Sequence, residues 1–253
     1  ARFEIDRRLE TKEQEFRDAL VLAQAVRVDV ISDDGLVVPG QGIRTTTILA
    51  NRGSAPGHVK RISLTGLDGD PECKAADVGA AGVYRCESAL RVSAVARLST
   101  PYWTPLPDAA RYRFDEDAPF GLPFRPSPFR ARIDVEIGGA DLTLDAPVEY
   151  RYEGTIFSGE KRSEPLVVPK LSVTMTPDIA VVPSSALMSA AARAVVSKVG
   201  AGGREPGTTG AASRELRVTI VNGNKGAAKA DVSLKAPDGW SVTPAAATAA
   251  FTR

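Results

Sequence analysis

Histidine is nearly absent from this chain, which holds one, His58, among its 253 residues. Histidine carries much of the proton transfer that proteins perform at neutral pH, and it is the commonest metal ligand. A histidine-rich metal site is therefore excluded by count, and we interpret His58, between Gly57 and Val59, as a surface or turn residue. Phosphate-binding glycine loops are absent too. We predict no catalytic residue, no metal ligand and no cofactor.

Long apolar runs and clusters of basic residues are also missing. No stretch approaches the roughly 20 consecutive apolar residues of a membrane-spanning helix, so no membrane span is predicted. The formal net charge is +1, with Lys and Arg spread along the sequence, so no nucleic-acid partner is expected. The chain begins at Ala1 without Met or a signal peptide, and we expect a preceding segment in a longer parent protein.

Cysteine is scarce, and the two cysteines, Cys73 and Cys86, lie on either side of a short segment that contains Gly and Ala. This spacing suits a disulfide between neighbouring strands, and the alternative is a pair of buried free thiols. A disulfide implies an oxidising compartment. We therefore expect a secreted or periplasmic protein.

The N-terminal residues 1–25 predict an amphipathic helix that leads from a missing upstream domain. The segment holds no Gly or Pro. Large apolar residues recur in it at near-helical spacing, namely Ile5, Leu9, Phe16 and Leu20. Such a stripe must be buried somewhere, either on the β-domain that follows or on a preceding domain. These four residues are the predicted interdomain contact.

Residues 26–164 show many short alternating runs separated by turn signals, with no helical pattern between them. This arrangement predicts an antiparallel β-sandwich. The Gly138-Gly139 pair between two such runs predicts a hairpin.

Residues 165–253 predict a second sandwich, with a flexible Ala, Gly, Ser and Thr-rich segment at 184–213. Within it, residues 215–221 and 230–235 are interpreted as hairpin partners across an Asn-Gly-Asn turn. Only five or six strands are recognisable, fewer than the seven or so of a complete Ig-like sandwich.

An insertion at residues 101–129, which we call the aromatic flap, holds seven of the fifteen aromatic residues and seven prolines. So many prolines exclude a central strand. The flap is interpreted either as a surface that binds a glycan or a partner, or as a segment whose rings fill a small core of their own. If the flap binds, Tyr102, Trp103 and Arg125 are the predicted contacts.

Acidic residues cluster in the flap at Asp115, Glu116 and Asp117. Two carboxylates facing one cleft can hydrolyse glycosides, and oxygen-rich loops can bind calcium. The cluster matches no EF-hand loop and is interpreted as a solvated turn. A carboxylate-only enzyme stays open as an alternative.

Several phrases of the sequence together resemble the non-catalytic region that follows the catalytic domain in large bacterial LmbE/PIG-L-type de-N-acetylases. These phrases lie at residues 33–41, 50–53, 101–104, 118–124 and 148–152. The C-terminal part, with residues 216–222 and 236–240, resembles the NEW3-type accessory domain of carbohydrate-active enzymes.

The resemblance implies that a parent chain is a zinc-dependent amino-sugar deacetylase. The zinc-binding motif of that family, of His-Pro-Asp-Asp type, is absent here. His58 is followed by Val59-Lys60, and Asp33-Asp34 is preceded by Ile31-Ser32. No catalytic or metal-binding residue is therefore carried over.

These observations predict a mostly β chain with two tandem antiparallel β-sandwich domains, Ig-like or fibronectin-like, preceded by one amphipathic helix. The predicted function is that of a non-catalytic accessory or interaction region of a larger extracytoplasmic carbohydrate-active protein. Its expected partner is the catalytic domain of the same parent chain. The alternative is a carbohydrate-binding module that uses the aromatic flap.

Overall fold

A computed structural model of the chain describes residues 2–107, 109–119, 121–179, 215–238 and 240–252. Within these ranges the chain forms one α-helix and seventeen β-strands. The predicted mostly β chain with one N-terminal helix is confirmed. The chain divides into two compact units, Ala1–Lys170 and Leu171–Arg253.

The first unit begins with the helix and continues with thirteen strands. They are α1 (Arg2–Ala23), β1 (Val26–Ser32), β2 (Leu36–Val37), β3 (Gly42–Asn51), β4 (Gly57–Thr65), β5 (Leu67–Asp68), β6 (Ala76–Val78), β7 (Val83–Val92), β8 (Trp103–Pro105), β9 (Tyr112–Phe114), β10 (Arg130–Ile137), β11 (Ala140–Glu153), β12 (Glu160–Ser163) and β13 (Leu166–Val167).

The main sheet of this unit has nine strands in the order β5-β7-β3-β1-β11-β10-β4-β6, with β12 added on β11. The 14-residue strand β11 lies in the middle of this sheet and pairs with several other strands. Its first half pairs with β10 as far as Pro147, and from Val148 onward it pairs with β1 and then with β12. Proline has no N–H to donate to a ladder, so Pro147 suits the point where the strand changes partners. The result is a curled, mixed half-barrel.

The prediction of purely antiparallel pairing is wrong in two places. Strand β1 runs parallel to β11, and β2 runs parallel to β13. Parallel strands need a long crossover connection, and here the chain between each pair runs through most of the first unit. Alternating patterns reveal which face of a strand is buried but carry no information about strand direction.

The predicted hairpin at Gly138-Gly139 is confirmed, because these residues join β10 to β11 with Ile137 paired to Ala140. Both glycines have positive φ, 60° and 81°. A two-residue turn of this kind requires φ above zero at both positions, which glycine adopts without strain.

One hydrophobic core fills the inside of the curl. Strand β10 contributes every second residue to it, Ala131, Ile133, Val135 and Ile137. Other strands of the same sheet contribute Val30, Leu49, Val59 and Val148, each at most 1% exposed. This alternation is the two-residue period expected of strands with one buried face.

The predicted disulfide is present between Cys73 and Cys86. Cys86 lies in β7, but Cys73 lies in the connection between β5 and β6, so the bond ties a loop to a strand and does not join two neighbouring strands. The bond is consistent with an extracytoplasmic location. Among the described residues, no helix has the length and apolar composition needed to cross a membrane.

The described part of the second unit contains two antiparallel pairs, β14 (Leu171–Thr176) with β15 (Arg217–Asn222), and β16 (Ala228–Ser233) with β17 (Ala246–Phe251). The predicted pairing of residues 215–221 with 230–235 is therefore wrong, since β15 pairs with the earlier strand β14 and β16 pairs with the later strand β17. The segment predicted to be flexible, 184–213, lies outside the described residues.

Candidate functional site

Helix α1 has no buried residue along its 22 positions. Four of its large apolar side chains are well exposed, namely Ile5 (56%), Leu9 (63%), Phe16 (71%) and Leu20 (43%). At 100° per residue these four lie within about 60° of one another around the helix axis. We call them the α1 stripe. The predicted interdomain contact residues thus share one face, which the described residues leave uncovered.

Charged pairs one turn apart support α1 in place of tertiary packing. Arg8 donates to Glu4 over 2.6 Å and Arg17 to Glu13 over 2.5 Å, both with i,i+4 spacing. Such pairs stabilise an exposed helix by a few tenths of a kcal/mol each, on the order of 0.2–0.5. Near the end of the helix, Val21 packs against the core.

In the aromatic flap, β8 and β9 form a small antiparallel ribbon. Trp103 pairs with Phe114 and Pro105 with Tyr112, so all four side chains lie on one face. The Phe114 and Tyr112 rings are more than half exposed. Phe124, 69% exposed, adds a further ring whose centroid lies 6.2 Å from that of Trp103. The described flap rings, apart from core residue Phe129, are half-buried or exposed, and Phe120 lies outside the described residues.

The structure brings together the three residues predicted as flap contacts. The rings of Tyr102 and Trp103 meet edge to face at 4.9 Å, and the Arg125 guanidinium lies 5.9 Å from the centroid of the Tyr102 ring. Tyr102 also donates its hydroxyl to the carbonyl of Leu122 over 2.6 Å. Tyr102 and Arg125 therefore hold the flap together. Tyr102 and Trp103, both half-buried, each lie beside an exposed ring, Tyr102 at 5.9 Å from Phe114 and Trp103 at 6.2 Å from Phe124 between ring centroids.

Two acidic residues of the flap are committed to arginines. Arg125 donates to Asp115 and Asp117 over 3.0 and 2.8 Å, and Arg97 donates to the same two carboxylates. Hydrogen bonds from Arg125 and Arg97 hold the pKa of Asp117 below its ordinary value. A glycosidase needs one carboxylic acid whose pKa is raised, so this arrangement disfavours Asp117 as a general acid.

The other candidates for catalysis or metal binding are His58 and the acidic and sulfur-containing side chains. His58 lies in β4, and its Nδ1 is 2.6 Å from Asp77 Oδ1 on the neighbouring strand β6. In the part of the chain that the structure describes, no group of three or more His, Cys, Asp or Glu side chains could hold a metal ion.

An exposed apolar turn between β11 and β12 was not predicted from the sequence. Residues 154–159 read Gly-Thr-Ile-Phe-Ser-Gly. Ile156 is 92% exposed and Phe157 is 93% exposed. We call this turn the β11–β12 tip. The available signal was an apolar pair flanked by Thr and Ser and then by Gly, an unusual composition for a turn, which favours polar residues.

Behind this tip, an ion-pair network fastens β12 to the sheet. Arg162 donates to Asp29 over 2.8 Å, to Glu160 over 3.0 Å and to Glu149 over 3.1 Å. Asp29 also accepts from Arg27 and is 18% exposed. Burial raises the pKa of Asp29, but the hydrogen bonds and positive charges of Arg162 and Arg27 together lower it by more. The pKa of Asp29 therefore lies below its ordinary value.

Comparison with known proteins finds no matching protein family and no matching curated protein. Among solved structures, Spo0M, a sporulation control protein from Bacillus subtilis, matches with a TM-score of 0.30 and 10% identity over 67% of this chain and 55% of its own. The Pseudomonas fluorescens alkylpurine DNA glycosylase AlkC, bound to DNA containing an abasic site analog, matches with a TM-score of 0.24 and 13% identity over 50% of this chain and 30% of its own. The chain thus spans about half the length of Spo0M and less than a third of AlkC. At these TM-scores neither likeness carries an argument about fold or function.

Proposed function

We propose that this chain is a non-catalytic accessory region of a larger extracytoplasmic carbohydrate-active protein, and that α1 is its contact with the catalytic domain of the same parent chain. The observation that carries the proposal is the α1 stripe. Four large apolar side chains on one face of a helix without buried residues favour a partner surface.

Two further observations support this function. The resemblance to the region that follows the catalytic domain of LmbE/PIG-L-type de-N-acetylases implies a zinc-dependent amino-sugar deacetylase as the parent. In those proteins the corresponding helix leads out of the catalytic domain. The disulfide between Cys73 and Cys86 agrees with an oxidising compartment. Two tandem Ig-like sandwiches, the finer fold predicted from the strand patterns of the sequence, belong to this proposal.

The first test is the open reading frame and the intact mass of the native protein. We expect a domain bearing a His-Pro-Asp-Asp motif to be encoded before Ala1. A native protein without such a domain would overturn the proposal. Hydrogen exchange of the native protein supplies the second readout, because amides of α1 are expected to be protected when the stripe is covered.

Substitutions on the helix then test the contact itself. In the native protein, Leu9→Ser with Phe16→Ser should expose α1 to proteolysis, since burial of each large apolar side chain is worth about 1.5–3 kcal/mol. Leu22→Ser is the matched control, because Leu22 is 79% exposed and lies about 140° from Leu9 around the helix axis. Equal proteolysis of both variants would contradict a contact through the stripe.

A second candidate function is glycan binding by the aromatic flap, favoured by the exposed rings on one face of the β8–β9 ribbon. Ring faces stack on the apolar faces of sugars. We expect titration with cell-wall glycans to give a dissociation constant of millimolar or tighter, about −4 kcal/mol or better. Trp103→Ala and Phe124→Ala should each weaken binding, while Phe157→Ala, an exposed ring elsewhere, should not. Absence of binding at millimolar glycan, or an equal effect of all three, removes this candidate.

A further inference from the structure

The β11–β12 tip is the most exposed large apolar pair among the described residues of the first unit. Its two side chains follow one another in a tight turn, and each is more than nine-tenths exposed, so neither covers the other. The tip is convex. A single preformed pocket on a protein would have to enclose it from several directions, whereas a fluid apolar phase accommodates side chains that point apart without shape complementarity.

We propose that the β11–β12 tip inserts into the apolar layer of a lipid surface and so holds the protein at a membrane peripherally. This inference is independent of the function proposed above. It assigns Ile156 and Phe157 as the membrane-contacting residues.

Some polar groups of the turn are satisfied within the turn, which lowers the cost of placing it in an apolar environment. The Gly154 amide donates to the Gly159 carbonyl over 2.9 Å, and the Ser158 amide donates to the Thr155 carbonyl over 2.8 Å. The hydroxyls of Thr155 and Ser158 pair with each other at 2.7 Å. The turn therefore satisfies two of its backbone amides and both hydroxyls internally while it presents two apolar side chains.

The first two residue pairs of the hairpin behind the tip are charged or amphipathic. Glu153 pairs with Glu160 on the first rung, and Tyr152 pairs with Lys161 on the second. Tyrosine and lysine are typical of membrane interfaces, where an apolar body or stem lies beside polar headgroups. These residue pairs carry charges of both signs, in Glu153, Glu160 and Lys161. They therefore complement a zwitterionic headgroup layer and give no reason to expect preference for anionic lipids.

The hairpin is also held rigidly, which lowers the entropy cost of placing its tip. Arg162 ties β12 to β1 and β11, and the rings of Tyr150 and Tyr152 stack at 6.0 Å along β11. A preorganised element loses less conformational freedom when it binds than a mobile loop does.

The test measures partition of the full chain into phosphatidylcholine vesicles by co-sedimentation, with and without phosphatidylglycerol. We expect measurable partition into both vesicles, with little dependence on the anionic lipid. Ile156→Ser with Phe157→Ser should lower the partition coefficient by about tenfold or more. Val95→Ser and Val83→Ser are matched controls, because both side chains are exposed apolar groups elsewhere in the first unit. Both controls should bind like the unchanged protein.

A second variant places a fluorescent reporter at the tip. With vesicles, the tryptophan emission of Phe157→Trp should contain a blue-shifted component that the unchanged protein, with its native tryptophans alone, does not show. Brominated acyl chains should quench this component. No partition into either vesicle, or an unchanged partition of the double variant when circular dichroism shows it folded, would overturn the proposal. So would emission from the introduced indole that brominated acyl chains do not quench. Saturable binding of the tip to a protein that the same double variant abolishes, without vesicle binding, would overturn it in favour of a protein pocket.

Discussion

Replacement of Arg162 by Met tests whether the ion-pair network behind the β11–β12 tip stabilises the first unit. Met keeps an apolar stem but removes three hydrogen bonds, those to Asp29, Glu149 and Glu160. Exposed ion pairs contribute about 0–1 kcal/mol, whereas breaking a fully buried pair costs about 3–5 kcal/mol. Arg162 is 28% exposed and Asp29 is 18% exposed. We therefore expect a loss of roughly 1–2 kcal/mol at pH 7.

The loss should depend on pH with a definite sign. The pKa of Asp29 is lower in the folded protein than its ordinary value, and Arg162 contributes to that lowering. Such a carboxyl contributes stability above its unfolded pKa, about 3.9, and this stability is lost as the pH falls through the folded pKa. The difference in the free energy of unfolding between wild type and Arg162→Met should thus have its full size at neutral pH. It should shrink as the pH falls below about 4.

Urea unfolding followed by circular dichroism, at pH 7 and at a series of acidic pH values, measures this difference. Arg130→Met is the matched control, because Arg130 donates to Asp145 over 3.0 Å in a more exposed pair on β10 and β11. We expect the control to cost under about 1 kcal/mol. A loss for Arg162→Met that equals the control, or that does not change with pH, would refute the stabilising role assigned to the network.

Two other predictions concern the backbone and the disulfide. Gly66→Ala should destabilise the first unit by about 2 kcal/mol or more, since φ is +78° and an added Cβ would lie 2.5 Å from the Pro128 carbonyl oxygen. Gly121→Ala, where φ is +76° with open space around it, should cost about 1 kcal/mol in the same urea unfolding measurement, and equal costs would contradict the clash. Replacing both Cys73 and Cys86 by Ser should lower the free energy of unfolding by about 3 kcal/mol, as expected for cysteines 13 residues apart, and an unchanged urea midpoint under non-reducing conditions would contradict this.

Much of the first unit could be predicted because strands such as β3 and β10 alternate between buried and more exposed residues. The alternation identifies the buried face of β10 without knowledge of its neighbours. The partners and directions of the strands were harder to predict, because β11 pairs with three strands and only Pro147 marks where its partner β10 gives way to β1. In the sequence, this strand reads as two separate runs.

The candidate surfaces differ in how far the sequence reveals them. The spacing of the α1 stripe identifies its common face directly. In the aromatic flap, prolines interrupt any periodicity, so the sequence could not show that Phe114 and Phe124 are exposed while Tyr102 and Arg125 hold the flap together. That distinction depends on the pairing of β8 with β9, which no local pattern specifies.

Strand β1 separates the two contact surfaces proposed for the first unit. The chain leaves α1 and enters β1 at Val26, while the other end of β1, Ser32, is aligned with Tyr150 of β11. A strand of this length spans about 20 Å, and β11 continues about 10 Å beyond Ser32 before the tip. Because the connection to α1 lies at one end of the parallel pair β1 and β11 and the tip lies beyond its other end, a partner held through α1 and a lipid surface held through the tip need not compete for the same part of the unit.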